Sequence, residues 1–252
     1  MFDIFRVSSE YNNSRLDNLL VNLKIVSSRN KASALIMAGY VYLDEKEISK
    51  SGSIIKAGSI LKVRKRKTWV SRGGLKLDNV LKRINLKVEN FDCLDLGCST
   101  GGFSEVLLSQ GASSVLGVDV GYGQIDLKVR NNKKFSILER TNVRFLKLEC
   151  KQQFDIIVAD LSFISLKKAI PPSLIYLKKN GILLTLIKPQ FEANRESITK
   201  GGIVKDLVIH EKVCNDVITF FRVNQKLSYL SLIESSILGQ KGNKEFFGIF
   251  RK

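Results

Sequence analysis

Cys93-Leu94-Asp95-Leu96-Gly97-Cys98-Ser99-Thr100-Gly101-Gly102-Phe103 decides the fold. It opens with a short apolar run, the pattern of a buried strand. Gly97, Ser99, Gly101 and Gly102 then break the run, and a helical pattern follows from Phe103 to Gln110. Strand, glycine-rich turn and helix together form the first unit of a nucleotide-binding α/β sheet. Glycines let backbone approach a ligand closely, and the helix N-terminus offers unpaired N–H groups. The next run, Val115-Leu116-Gly117-Val118-Asp119-Val120, reads as a second strand with an acid near its end. Asp119 lies about 20 residues beyond the glycines, the spacing at which a carboxylate accepts from ribose hydroxyls.

The turn reads G-x-x-x-G-G rather than the G-x-G-x-x-G of dinucleotide sites. That spacing suits a ligand without a pyrophosphate, of which S-adenosylmethionine is the common one. Cys98 sits inside this turn and reads as a small packing residue, Cys93 as a core residue of the strand. The four cysteines form no C-x-x-C pair, and the single His210 has no partner at metal spacing. No structural zinc and no disulfide framework are expected. There is no N-terminal apolar signal region and no run approaching the roughly 18 apolar residues of a membrane span. A cytoplasmic protein with reduced thiols is expected, without stable membrane association.

The 252 residues allow one large or two small domains, and a 44% apolar content supports an ordinary core. The formal net charge of +17 points to a polyanionic partner. Residues 1–90 carry 18 basic against 8 acidic side chains, so the shorter N-terminal part is the more strongly basic. That asymmetry fits a binding module ahead of a catalytic one.

Residues 1–13 lack periodic apolar anchors and are expected to form a mobile lead. Ser14 is placed to cap a helix carrying Leu16, Leu19, Leu20 and Leu23 on one face. Ser27 or Ser28 starts a second helix, with Ala32, Leu35 and Ile36 inward, and Gly39 stops it. Val41 and Leu43 form a strand, Asp44-Glu45 a turn, and Ile54-Ile55 and Ile60–Val63 complete a small sheet. Ser28-Arg29, Leu35-Ile36 and Gly39-Tyr40-Val41, in this order, resemble the RNA-binding module of ribosomal small-subunit protein four, over about residues 14–64. The resemblance implies RNA phosphate contacts by Arg29, Lys31 and neighbouring basic residues, Arg15 among them. Such contacts supply affinity and register without reading sequence. The basic run Arg64, Lys65, Arg66 and Lys67, with Arg72 beyond it, extends the candidate RNA contacts. Domain limits are read as 1–64, a basic linker 65–70, and 71–252.

The second domain opens with a helix over about Leu75–Ile84, where Lys76 lies beside the apolar face. Further strands are read at Phe135–Arg140, Phe154–Asp160 and Gly181–Pro189, with helices between them. A helix near Ser165–Leu177 is interrupted by Pro171-Pro172, and another spans about Leu207–Arg222. Leu227–Ser235 and Glu245–Phe250 close the domain as antiparallel strands. The alternation predicts a Rossmann-like sheet of seven strands, mostly parallel and covered on both faces. Ligands bind such sheets outside the carboxyl ends of the strands. Asp95, Asp119, Asp160 and Lys188 fall at such ends, and an antiparallel last strand brings Glu245 to the same rim. A Lys and an Asp at neighbouring strand ends can form an ion pair beside the cofactor, with the amine facing a substrate hydroxyl. A nearby ammonium stabilises a developing alkoxide, and a neutral amine acts as base. Both roles fit the sequence.

Ser71-Arg72-Gly73-Gly74-Leu75-Lys76, Gly97–Phe103, Asp119-Val120-Gly121-Tyr122-Gly123-Gln124, Glu139-Arg140-Thr141-Asn142, Asp160–Ser165, Lys188-Pro189-Gln190-Phe191-Glu192 and Gly242-Asn243-Lys244-Glu245 together resemble the TlyA family. These haemolysin-labelled proteins are ribosomal RNA 2′-O-methyltransferases related to the FtsJ methyltransferases. The resemblance covers about residues 14–252. It implies a catalytic tetrad of Lys76, Asp160, Lys188 and Glu245, with Lys188 acting on the ribose 2′-hydroxyl and Asp160 orienting it. It implies S-adenosylmethionine held by Asp95, Gly97, Ser99, Gly101, Gly102, Phe103 and Asp160, with Asp119 at the ribose and Thr141-Asn142 near the adenine. The implied substrates are cytidines of small- or large-subunit ribosomal RNA, modified without a metal. Three rivals differ in class. A membrane-active haemolysin lacks a span, and an assembly factor with a dead methyltransferase fold would not need an intact tetrad. A pseudouridine synthase would not need the glycine turn.

Overall fold

The first strand lies where the sequence carries no periodic signal. Phe2–Arg6 (β1) pairs antiparallel along its whole length with residues 60–64, Phe2 opposite Arg64 and Arg6 opposite Ile60. The segment expected to be a mobile lead is therefore an ordered edge strand. Such a strand is fixed by its neighbour's hydrogen bonds rather than by its own side-chain alternation. Val7, just beyond it, is buried in the N-terminal core. The computed structural model describes residues 2–64, 69–149, 152–199 and 201–252, so the candidate contacts Lys65, Arg66 and Lys67 lie outside the described residues. The chain divides into units of residues 1–68 and 69–252.

The N-terminal unit continues with Ser14–Arg15 (β2), Leu16–Asn22 (α1), Arg29–Met37 (α2), Val41–Leu43 (β3), Lys46–Glu47 (β4), Ile54–Ile55 (β5) and Ile60–Arg64 (β6). One sheet runs β1-β6-β3-β4, and β2 pairs with β5. Ser14 is not a helix cap, because it belongs to β2 opposite Ile55. The N-cap position falls on Arg15, whose side chain makes no cap bond. Ser28 caps α2 as expected, its Oγ accepting from the Lys31 N–H at 3.4 Å. Gly39, at φ +73°, turns the chain away after α2. Leu16, Leu19, Leu20, Ala32 and Ile36 pack on Val41, Ile55, Leu61 and Val63.

The C-terminal unit contains Arg72–Arg83 (α3), Asp92–Leu96 (β7), Gly102–Ser109 (α4), Ser114–Val118 (β8), Leu127–Arg130 (α5), Phe135–Leu138 (β9), Phe154–Ala159 (β10), Leu166–Ala169 (α6), Leu177–Ile187 (β11), Pro189–Glu192 (α7), Leu207–Thr219 (α8), Ser228–Glu234 (β12) and Phe246–Arg251 (β13). These strands form one seven-stranded sheet, ordered β12-β13-β11-β10-β7-β8-β9. The five from β11 to β9 are parallel, β13 runs antiparallel to them, and β12 pairs antiparallel with β13 and so shares the direction of the five. This is the Rossmann-like sheet expected. Side-chain alternation along β7 sorts the two faces. Cys93 joins Leu77, Leu81, Phe103 and Leu107 of α3 and α4 on one face. Leu94 and Leu96 join Leu166, Val213 and Val217 of α6 and α8 on the other. Each fully buried leucine here contributes about 2 kcal/mol.

The prolines act as expected: α6 ends at Ala169, and Pro171–Tyr176 forms a 3₁₀ turn leading into β11. Helix α8 passes into a π-turn over Phe220–Asn224. Sheet order reverses at β7, which has β8 on one side and β10 on the other. That reversal opens a crevice beyond the carboxyl ends of β7, β8, β10 and β11.

Candidate active site

The glycine turn after β7 takes its shape from left-handed residues: Gly97 at φ +79°, Ser99 at +49° and Gly101 at +94°. A Cβ on Gly97 would lie 2.8 Å from Leu161 Cδ2 and 2.9 Å from the Asp160 carbonyl oxygen, so the turn presses against the end of β10. Asp119 fixes the turn from the side. Its Oδ2 accepts from the Ser99 N–H at 2.8 Å and its Oδ1 from the Gly121 N–H at 2.7 Å. Lone pairs remain on both oxygens for a further donor.

Asp95 supports the turn from below. It is 0% exposed, its Oδ2 accepts from the Ser104 hydroxyl at 2.6 Å, and its Oδ1 is buried without a hydrogen-bond partner. Burial pushes its carboxyl up to about 7, with the Asp160 and Asp119 charges adding to the effect. Cys98 packs on Ile125 and Val129, and burial raises its thiol far out of the reactive range.

Two cavities meet at this turn. The first, about 320 Å³, is lined by Gly97, Ser99, Gly102 and Phe103 and by the charged residues Arg72, Lys76, Asp160, Lys188 and Glu245. The second, about 590 Å³, is lined by Asp119, Thr141, Asn142, Leu161 and Phe163 among others. They share Gly97, Ser99, Asp160 and Ser162. The joined space and its polar turn fit a nucleoside-sized ligand carrying a charged arm. Asp95 and Gly101 line neither cavity and act on the turn's shape.

The charged residues of the first cavity are paired. Lys188 Nζ lies 2.7 Å from Asp160 Oδ1 and donates to Ser162 Oγ at 2.8 Å. Lys76 Nζ donates to Glu245 Oε2 at 2.5 Å, with both side chains over nine-tenths buried. Lys188 immediately precedes α7, and Glu192 at the end of that turn reaches to the start of α6. Its Oε2 accepts from the Ser165 hydroxyl at 2.6 Å and its Oε1 from the Leu166 N–H at 2.7 Å. The Phe191 and Phe163 rings pack with centroids 5.0 Å apart, tilted by 50°. Burial pushes the Glu192 carboxyl up from its ordinary value.

The four charged residues read from sequence are thus brought to one cavity. Sequence reasoning assigned no role to Ser162, to Gln190 or to Ser71. All three line the first cavity, and Gln190 Oε1 is a buried acceptor without a partner. The available signal was position: a hydroxyl two residues after Asp160, and an amide two residues after Lys188. Arg72 also lines this cavity, and its guanidinium donates to the Leu238 carbonyl. Arg15, Arg29, Lys31 and Arg64 belong to the N-terminal unit. Among the described residues, no group of three or more His, Cys, Asp or Glu side chains could hold a metal ion, and no helix is long and apolar enough to cross a membrane.

Residues 69–252 match the family model described as FtsJ-like methyltransferase, and residues 14–61 match the S4 domain. The chain is 36% identical to "Hemolysin A" of Brachyspira hyodysenteriae, over 94% of this chain and 99% of that one. It is 38% identical to the 16S/23S rRNA (cytidine-2′-O)-methyltransferase TlyA of Mycobacterium tuberculosis, over 93% of this chain and 88% of that one. A solved structure from Streptococcus thermophilus, described as a hemolysin, superposes with a TM-score of 0.70 at 37% identity, covering 96% of this chain and 89% of that one.

Proposed function

The chain belongs to the FtsJ-like methyltransferase family, and from that premise we propose that it methylates the 2′-hydroxyl of cytidine in ribosomal RNA with S-adenosylmethionine as donor. The observation that carries this reading is the convergence of the Lys188–Asp160 and Lys76–Glu245 pairs on the cavity that opens at the glycine turn. The relative from M. tuberculosis, similar along nearly the whole chain, supports the ribose of cytidine as acceptor. The S4 match supports an RNA partner.

S-adenosylmethionine, when bound, supplies a methyl group already activated by its sulfonium. The residues of this chain do the rest. The glycine turn and Ser99 would hold the donor's methionine arm, Asp119 would accept from its ribose hydroxyls, and Thr141 and Asn142 would border its adenine. Lys188 donates one N–H to Ser162 and lies within ion-pair distance of Asp160, which leaves an N–H for the substrate's 2′-oxygen. As an ammonium, Lys188 would stabilise the developing alkoxide while the hydroxyl proton passes to solvent, the bond from the 2′-oxygen to the methyl carbon forms and that carbon's bond to the sulfonium sulfur breaks, leaving a neutral thioether. Lys76 and Glu245 neutralise each other and close the far wall of the cleft. Phe163 is 87% exposed beside Ser162 and offers an aromatic face to an unstacked base.

The test is transfer of labelled methyl to purified small and large ribosomal subunits and to naked ribosomal RNA, with wild type and Lys188→Ala. Label in ribose that falls at least 100-fold in the variant supports both activity and role. Label retained by Lys188→Ala would overturn the role of Lys188. No label on any RNA, with S-adenosylmethionine still bound, would overturn the acceptor.

A further inference from the structure

We propose that Asp17 is a positioning residue that locks Arg15 and Arg29 into a single fork for one RNA phosphate, so that removing this negative charge weakens RNA binding instead of strengthening it. The inference rests on the reading of the N-terminal unit as an RNA-binding module.

The geometry is specific. Asp17 is 2% exposed, at the start of α1. Its Oδ1 accepts from Arg15 Nε at 3.1 Å, and its Oδ2 accepts from Arg15 Nη2 at 2.8 Å and from Arg29 Nη2 at 3.0 Å. Its Oδ1 also accepts from the Asn18 N–H at 2.9 Å, which holds the carboxylate on its own helix. These bonds keep the carboxyl well below the usual carboxylate range, the Arg15 hydrogen bonds being the largest cause. One buried oxygen thus gathers two guanidinium groups from segments 14 residues apart in sequence. The two Nη2 atoms share that oxygen, so they lie within about 6 Å of each other.

The arginines are not consumed by the pairing. Their side chains are 46% and 58% exposed, and a guanidinium carries five N–H donors. Asp17 takes two from Arg15 and one from Arg29, leaving donors on both facing solvent. A phosphate accepts through several oxygens and bridges two guanidinium groups at this separation. The site keeps one net positive charge among its three ions. Arg29 opens α2, whose first turn contains no acid to offset the positive end of the helix. A Cβ at Gly52 would lie 3.1 Å from Arg15 Nη1, so glycine there leaves room for the guanidinium.

Without the carboxylate, two long cations would repel and sample many rotamers. Each would then have to be ordered at the moment of binding. Asp17 meets that cost during folding. Simple electrostatics predicts the opposite outcome, because deleting a carboxylate from a phosphate-facing surface raises its positive charge.

The experiment measures binding of the full chain to a ribosomal RNA transcript, as a function of salt, for wild type, Asp17→Asn, Arg15→Ala with Arg29→Ala, and the triple variant. Asp17→Asn should bind about 5-fold more weakly, and the double arginine variant, which loses one phosphate contact, should lower the salt slope by about 1. In the arginine-free background Asp17→Asn should have no further effect, because the residue acts through those side chains. Equal or tighter binding by Asp17→Asn overturns the proposal. So does an unchanged penalty in the arginine-free background, which is the signature of a folding defect. If the double arginine variant binds as wild type does, the RNA-binding reading of this surface itself fails.

Discussion

The Lys76–Glu245 pair makes a quantitative demand on stability that is separate from its place in the cleft. The side chains are 9% and 2% exposed and 2.5 Å apart. Lys76→Met would leave Glu245 as a buried carboxylate with its ion partner gone. Relief by side-chain movement is blocked on one side, since even a Cβ on Gly239 would lie 1.9 Å from Glu245 Oε1. Breaking a buried pair from one end costs about 3–5 kcal/mol. In a unit of this size 1 kcal/mol corresponds to about 2–4 °C in Tm, so Tm should fall by roughly 10 °C. Trp69 is the only tryptophan and packs against the core beneath α3, so its fluorescence follows the unfolding of this unit. Lys76→Met combined with Glu245→Leu removes both charges and should recover most of the loss, while methyl transfer stays abolished. A Tm loss under about 3 °C for the single variant would refute the reasoning. So would a double variant no more stable than the single one.

Two further predictions test the support of the cleft. Asp95 has its carboxyl pushed up to about 7 from 3.8, so the fold favours its protonated form. That stability is complete below about pH 4 and is lost as pH rises to about 7, the loss over this window amounting to about 4 kcal/mol. The stability of wild type relative to Asp95→Asn should fall by that amount across the window and stay flat above it. A difference independent of pH, by denaturant titration at each pH, would refute this. Glu192→Ala should lower kcat by about 10-fold with S-adenosylmethionine affinity unchanged, because a loosened α7 misplaces Lys188 without touching the cofactor turn. Glu192→Gln, which still accepts from the Leu166 N–H, should restore most of the rate. A matching loss of cofactor affinity, or a Gln variant no better than Ala, would contradict that role.

What could be read along the chain follows from how local each signal is. The alternating pattern of β7 and the glycines after it are contiguous, so the strand, the turn and the crevice followed from a short window. Asp160 and Lys188 end strands that sit side by side, and strand ends are visible as the last polar residue of an apolar run. Lys76 was different. On the helical pattern of α3 it falls beside the apolar face, yet it is only 7% exposed, because its partner Glu245, just before β13, comes from 169 positions away. Helical periodicity reports burial against a neutral core and carries no information about a distant counter-ion. Ser14 failed for a related reason: its cap chemistry is local, but the pairing of β2 with β5 claimed it for a strand first. Strand β1 had no signal of its own, since an edge strand takes its register from the neighbour. Asp17 shows the same limit on the N-terminal unit, where an acid in a basic segment reads as a charge to be subtracted. In three dimensions it is the residue that gives two of the positive charges a fixed direction. The net charge of the chain therefore ranks the partner's class, whereas the pairings of its few buried acids set where that partner can be held.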